Sequence, residues 1–375
     1  MAQKPLTAAE QAAILQAFGG GKAGFKKGAN ERSAFDAQRR NSADTLPKIL
    51  SVDDVKGQYD SSRALETTLG GIKRQITAED LEAFRKNIET VRKVYKQGIT
   101  ADQVLNMSLD IDLERAKKQI FTALPTRYKG NVLHFMTNAS KESDVKQHYV
   151  TVKFLDLVAI ATTPIPLLTA TKQVARGYLA FDCDCGRHTF WYRYISTIGG
   201  FNAGRAETGF PKIRNPNLHG VACKHVLKVM SVIDTALSMQ AIKEMVKIAR
   251  KSAKPIDELP ENQLSAKEVK DAAKRQLEKA HHERNQVRRA SDDPVKQRRA
   301  KKEAERLAKA SQDKVKQQRE ERKRIITSGS PMERLNLRID LENRVKTLQR
   351  EYSLSANENL LDAIENLQND INRLI

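Results

Sequence analysis

The chain has 375 residues, room for two or three domains, and its 66 Lys and Arg against 46 Asp and Glu give a net charge of +20. That excess favours a polyanionic partner (nucleic acid, an anionic membrane surface or an acidic protein), although solvated charged helices in an ordinary soluble protein give the same sum. No apolar run is long enough to span a bilayer, the opening MAQKPLTAAEQAAILQAF does not read as a signal peptide, and three cysteines cannot pair off, which argues against a disulfide framework and for a reducing location, cytoplasmic or within a virion.

In chain order, residues 1–76 are poorly patterned and read as a flexible N-terminal segment. Thr7 to Glu10 resembles a capping box. The stretch FGGGKAGFKKGANERS lacks the Walker spacing, since position 16 is Gln16, and reads as a flexible basic loop. A helical segment follows over 77–125. Thr77 is placed to cap a helix from Ala78 to about Gln97, with Leu81, Phe84, Ile88, Val91 and Val94 or Tyr95 on one face. Gly98 stops it, and a second helix is expected from about Thr100 to Thr122.

The aromatic residues locate the core. Of the 20 Phe, Trp and Tyr, 13 lie between Phe121 and Phe210, and none lies between Pro211 and Glu351. Aromatics carry large buried area, so residues 126–252 are expected to form an α+β core with polar helical flanks. HYVTVKFLDL alternates as a strand, with NVLHFMT as its hairpin partner. TPIPLLTATKQVARG is a connection or a short helix. YLAFDCDCG and HTFWYRYIS then read as two strands joined by a tight turn at Cys185 to Arg187. From Gly220 to Lys251, Val226, Met230, Ile233 and Leu237 recur at helical spacing.

Every cysteine of the chain falls in two short clusters within this core, Cys183 and Cys185 in one and Cys223 in the other, with His225 two places after the last. Residues i and i+2 of a strand point to one face, so Cys183 and Cys185 can reach one ion. Cys223 and His225 fall in the first turn of a helix, whose partial positive charge favours thiolate. Three sulfurs and one imidazole suit tetrahedral Zn2+. His188 and His219 are close enough in sequence to substitute as ligands, and read more simply as hydrogen-bonded neighbours. The alternative for the four is that they are small buried residues. Four good ligands would close the shell, leaving no open position for a water. The deaminase, HExxH, nucleophile-elbow and dinucleotide signatures are absent, so no enzyme is expected.

Cys-x-Cys, a long spacer, then Cys-x-His resembles the SWIM-type zinc finger over about 178–240. The resemblance implies a β-hairpin followed by a helix, ligand roles for Cys183, Cys185, Cys223 and His225, and a part in nucleic-acid or protein binding. The spacer of 37 residues, 186–222, is longer than is usual in that family. GFPKIRNPNL and CKHVLKVM also give a weaker resemblance, of texture only, to uncharacterised tailed-phage structural proteins.

Residues 253–329 read as basic, charged helices. Between Ser265 and Ile325 there are 21 Lys or Arg against 11 Asp or Glu, with Ala, Glu, Lys, Arg and Gln dominant and little to bury. Arg288, Arg289, Arg298, Arg299, Lys301 and Lys302 are the candidate contacts to nucleic acid. Residues 330–375 read as a helical hairpin or coiled coil. Ser330 and Ser355 open capping boxes, and Leu337, Leu341, Val345, Leu348 and Tyr352 form one stripe. Leu360, Ile364, Leu367, Ile371 and Leu374 follow the 4-3-4-3 spacing of a heptad seam, expected to face a partner chain although it could fold back on its neighbour. The whole reads as a non-enzymatic, zinc-binding architectural protein of a large assembly with basic helices on nucleic acid. The alternative is a tailed-phage virion component, with a purely structural zinc and protein–protein contacts only, in an oligomer or larger complex.

Overall fold

The computed structural model describes residues 45–291 apart from 72, 96, 97 and 253, residues 320–374 apart from 356–358, and scattered positions elsewhere, among them 31, 32 and 34–39. The contacts divide the chain into two units, Met1–Gln286 and Val287–Ile375.

In the first unit, local sequence sets the elements. A two-stranded ribbon, β1 (Glu66–Thr67) and β2 (Arg74–Gln75), leads to α1 (Ala78–Val94). Thr77 and Asp80 close a reciprocal capping box at its start, and Leu81, Phe84, Ile88 and Val91 are buried on one face, as the periodicity requires. Tyr95 is buried and Val94 is exposed, which settles the face of the last turn. The second expected helix divides into α2 (Ala101–Asn106) and α3 (Asp110–Gln119), because the chain is extended at Leu109.

The central sheet comprises β3 (Ala123–Lys129), β4 (Val132–Asn138), β5 (Gln147–Phe154), β6 (Leu179–Cys183) and β7 (Glu261–Gln263), all antiparallel in the order β6-β5-β4-β3-β7. The β3–β4 turn needs glycine: Gly130 has φ +55°, and a Cβ there would lie 2.3 Å from Ile256 O. Helices α4 (Leu157–Ala161) and α5 (Leu167–Arg176) join β5 to β6. Along β5, His148, Val150, Val152 and Phe154 are buried and the alternate residues face outward. Beyond β6 come α6 (Arg193–Ile198), α7 (Lys224–Met230), α8 (Ala236–Lys251) and, after β7, α9 (Ala266–Ser291). The buried face packs on α7 and α8, and α7 in turn packs on α2 and α3. Part of the other face is covered by α9: Leu124 and Met136 meet Val269, Ala272 and Ala273, and the Gln276 amide bonds both Ala123 N (2.8 Å) and Ala123 O (3.0 Å). Leu50, Val55 and Leu65 belong to the main core, so residues 50–65 contribute to it directly.

Two further sequence expectations need correction. HTFWYRYIS is helical, a π-helical turn at His188–Tyr192 running into α6. The place beside β6 where a second strand would pair is taken by other backbone: Leu179 N bonds Ile99 O, Phe181 N bonds Phe201 O, and Ala203 N bonds Phe181 O. The helix expected from 220 to 251 is two helices, interrupted by turns at 231–235, where the Thr235 and Ser238 hydroxyls both donate to Val232 O.

The second unit contains α10 (Pro331–Ser355) and α11 (Asn359–Asn372), which pack on one another. Ser330 and Glu333 form the expected capping box. Leu341 and Val345 of α10 are buried with Ile364, Leu367 and Leu374, and Ile371 packs at their edge. Ile364, Leu367, Ile371 and Leu374 of the heptad seam thus pack against α10 of the same chain, the fold-back arrangement that the sequence also allowed. The Leu360 side chain lies outside the described residues. So do the side chains of Arg288 and Arg289, which fall within α9, and Arg298, Arg299, Lys301 and Lys302. Among the described residues, no helix is long and apolar enough to cross a membrane.

Candidate metal centre

Cys183 ends β6, and Cys185 lies two residues on, before the π-helical turn. Its carbonyl accepts the Thr189 amide (3.0 Å) and its sulfur accepts the His188 amide (3.3 Å), so the turn is pinned through this residue. Cys223 is the N-cap residue of α7 (φ −82°, ψ 164°), with its carbonyl bonded by Leu227 N, and His225 follows in the first turn. The approach to Cys223 needs glycine: Gly220 has φ +71°, and a Cβ there would lie 2.8 Å from the Leu109 side chain. Lys224 anchors the same turn, its ammonium donating to Gln119 Oε1 (2.6 Å) and Ser140 Oγ (2.9 Å).

These elements bring all four sequence-predicted ligands together. One ligand atom from each of Cys183, Cys185, Cys223 and His225 lies within 4.8 Å of the others, and all four residues are buried. Among the described residues this is the one such group. His225 Nδ1 is 3.9 Å from Cys183 Sγ, and the buried Nε2 has no hydrogen-bond partner. A tetrahedral ion with bonds near 2.3 Å sets its ligand atoms about 3.7 Å apart, so small side-chain shifts complete the shell.

The electrostatics call for a cation. Burial, reinforced by Cys185 and Cys223, pushes the Cys183 thiol well up. At Cys223 burial acts in the same direction, but Cys183 and Cys185 as donors and the amides of Val226 and His225 bring it well down. Cys223 therefore holds a thiolate readily, while Cys183 resists ionisation beside it unless positive charge is added. Burial lowers the His225 pKa, against the pull of Cys185, which keeps the imidazole neutral and free to ligate. The group could hold a metal ion.

A polar shell that sequence reasoning missed surrounds the ligands. Asp184, between the two cysteines, accepts from His148 Nδ1 (2.9 Å) and Tyr149 N (3.1 Å) and pairs with Arg32. The His148 ring tilts against that of His225, with centroids 4.2 Å apart. Burial raises the Asp184 carboxyl, but His148 and Arg32 hold it below the usual carboxylate range. The signal was present as the acidic residue of Cys-Asp-Cys, but its partners sit 36 and 152 residues away. His188 is fully buried with its Nε2 3.0 Å from Asp182 Oδ1 but off the hydrogen-bond direction, and His219 is exposed. Neither joins the four.

The spacer is core rather than an appended surface. Tyr192, Ile195, Phe201 and Phe210 are buried, and the Tyr192 hydroxyl donates to Asp112 of α3. The implied hairpin of the SWIM-type finger is replaced by strand and helix. Comparisons with protein-family models, curated proteins and solved structures find no match.

Proposed function

We propose that Cys183, Cys185, Cys223 and His225 hold one zinc ion as a structural staple in a non-enzymatic protein that contacts nucleic acid through its basic C-terminal helices. The observation that carries this reading is the burial of a complete set of three sulfurs and one imidazole. Soft thiolates with one imidazole select zinc over the harder divalent ions, and a closed four-ligand shell serves structure rather than catalysis. The ion would join Cys183 and Cys185, at and just beyond the end of β6, to the start of α7, segments separated in sequence by residues 186–222. Binding free energy at such a site is folding free energy.

The nucleic-acid part rests on charge. The net charge of +20 and the 21 cationic residues between Ser265 and Ile325 form the footprint of phosphate binding, in which Arg and Lys release counterions. Salt titration of duplex DNA and of RNA binding tests it. The expected result is affinity that falls linearly in log–log form with salt, with the slope reduced when Arg288, Arg289, Arg298 and Arg299 are changed to Gln. Binding that is absent, or that ignores both salt and the four changes, would leave protein contacts as the role of this region.

A further inference from the structure

The face of the sheet turned away from α7 and α8 carries a cleft of about 480 Å³. Small-molecule sites run from roughly 300 to 1,000 Å³. Register explains its floor. Cross-strand partners share a face, so Lys129 of β3, Val132 of β4 and Lys153 of β5 form one row. Arg127, His134, Thr151 and Asp182 form the next row inward, and both rows line the cleft.

The charges of the cleft do not balance evenly along it. At the inner end each cation has a carboxylate: Arg193 pairs with Asp36 (2.8 Å) and Asp182 (3.1 Å), and Arg32 with Asp184. Arg127 pairs with Glu261 (3.1 Å). At the outer end Lys129 and Lys153 are exposed; Glu261, the neighbour of Lys129 across the β3–β7 pair, is bonded to Arg127, and among the described residues neither lysine forms an ion pair. Strands lie about 4.8 Å apart, so the two lysine stems rise about 10 Å from each other with only Val132 between them. Two long, flexible ammonium arms over one small apolar side chain converge readily on a single dianionic group. Just inward, His134 Nδ1 and Thr151 Oγ1 hydrogen-bond to each other (3.2 Å), and the Thr151 hydroxyl, which can both donate and accept, keeps hydrogen-bonding capacity on the floor.

We propose that this cleft binds a small phosphate monoester, its phosphoryl group held between Lys129 and Lys153 and the rest of the molecule lying over Thr151 and His134. A phosphate monoester carries between one and two negative charges near neutral pH, which matches two ammonium groups that act as point charges. The two lysines stand at the outer end of the cleft, away from Asp184, which lines its inner end and also belongs to the polar shell of the candidate metal centre.

Isothermal titration of the full-length protein with a mononucleotide, a sugar phosphate and inorganic phosphate tests it. The expected result is saturable 1:1 binding of at least one monoester, tighter than inorganic phosphate. The double variant Lys129→Gln, Lys153→Gln should weaken that binding about tenfold or more while its melting temperature stays at the wild-type value, because both side chains are exposed. Thr151→Val should weaken the monoester and leave inorganic phosphate unchanged. Monoester and inorganic phosphate binding equally, no saturable binding of any of them, or wild-type affinity in the double variant would overturn the proposal. So would binding of an oligonucleotide alone through these lysines, which would make the cleft part of a nucleic-acid surface.

Discussion

Cys223 illustrates what one atom type decides in this molecule. It is fully buried, caps α7 and lies among two other sulfurs and an imidazole. Serine suits the N-cap position and is nearly the size of cysteine, but it is a poor ligand for a soft ion. Cys223→Ser should therefore abolish stoichiometric metal binding and lower the melting temperature by 10 °C or more, on the order of the loss of a structural metal. Inductively coupled plasma analysis beside a thermal melt checks both. Asp80 makes a separate residue-scale case. Arg74, first, and then the Thr77 amide bind its ionised form and hold its pKa below the usual value, against burial. The sign follows from linkage: this stability is fully present above about pH 4, the unfolded value, and is lost as pH falls through the lower folded value. Asp80→Asn should cost about 1 kcal/mol at pH 7, the typical worth of a cap, and less at pH 3, below the unfolded value. Melts of both proteins at the two pH values measure the difference. At this scale the four candidate ligands were legible as a group because cysteine occurs nowhere else, while His148 and Arg32 were not, since only the folded sheet brings them to Asp184.

Among the elements, α1 and the β4–β5 hairpin were readable from pattern alone, because capping and alternation are local. Residues 188–196 were not. Their aromatic and β-branched residues have strand propensity, but propensity reports fit to a half-buried surface, and here that surface is offered by a helix. Tyr192 reaches Asp112, and Tyr194 and Ile195 enter the core, while Phe201 and Ile99 hold the edge of β6. The α10–α11 pair shows the same limit from the other side: the seam spacing was right, but periodicity does not say whether the partner is in the same chain. Since Ile364 is buried against α10, Ile364→Asp should destabilise the hairpin by roughly 3 kcal/mol, the cost of burying a charge without a partner. Circular dichroism should show early loss of helix in the variant with zinc content unchanged. Light scattering should give it the wild-type mass, because the broken contact is internal.

For the whole molecule, the division at Val287 separates a mixed α+β unit that holds the four candidate ligands from a helical unit that holds the hairpin. Charge is what composition made legible across this scale, and architecture is what it did not. The core draws on residues as far apart as Leu50 and Val246, and the spacer between the two ligand pairs supplies much of its aromatic packing. In that setting the ion is expected to join segments that the chain order keeps apart. The most direct test is zinc-edge X-ray absorption, with metal quantitation, on full-length protein purified without added metal. The account predicts one zinc per chain, with three sulfur neighbours at about 2.3 Å and one nitrogen at about 2.0–2.1 Å. Folded protein with well under one metal per chain, and three thiols that react freely with a disulfide reagent, would contradict it.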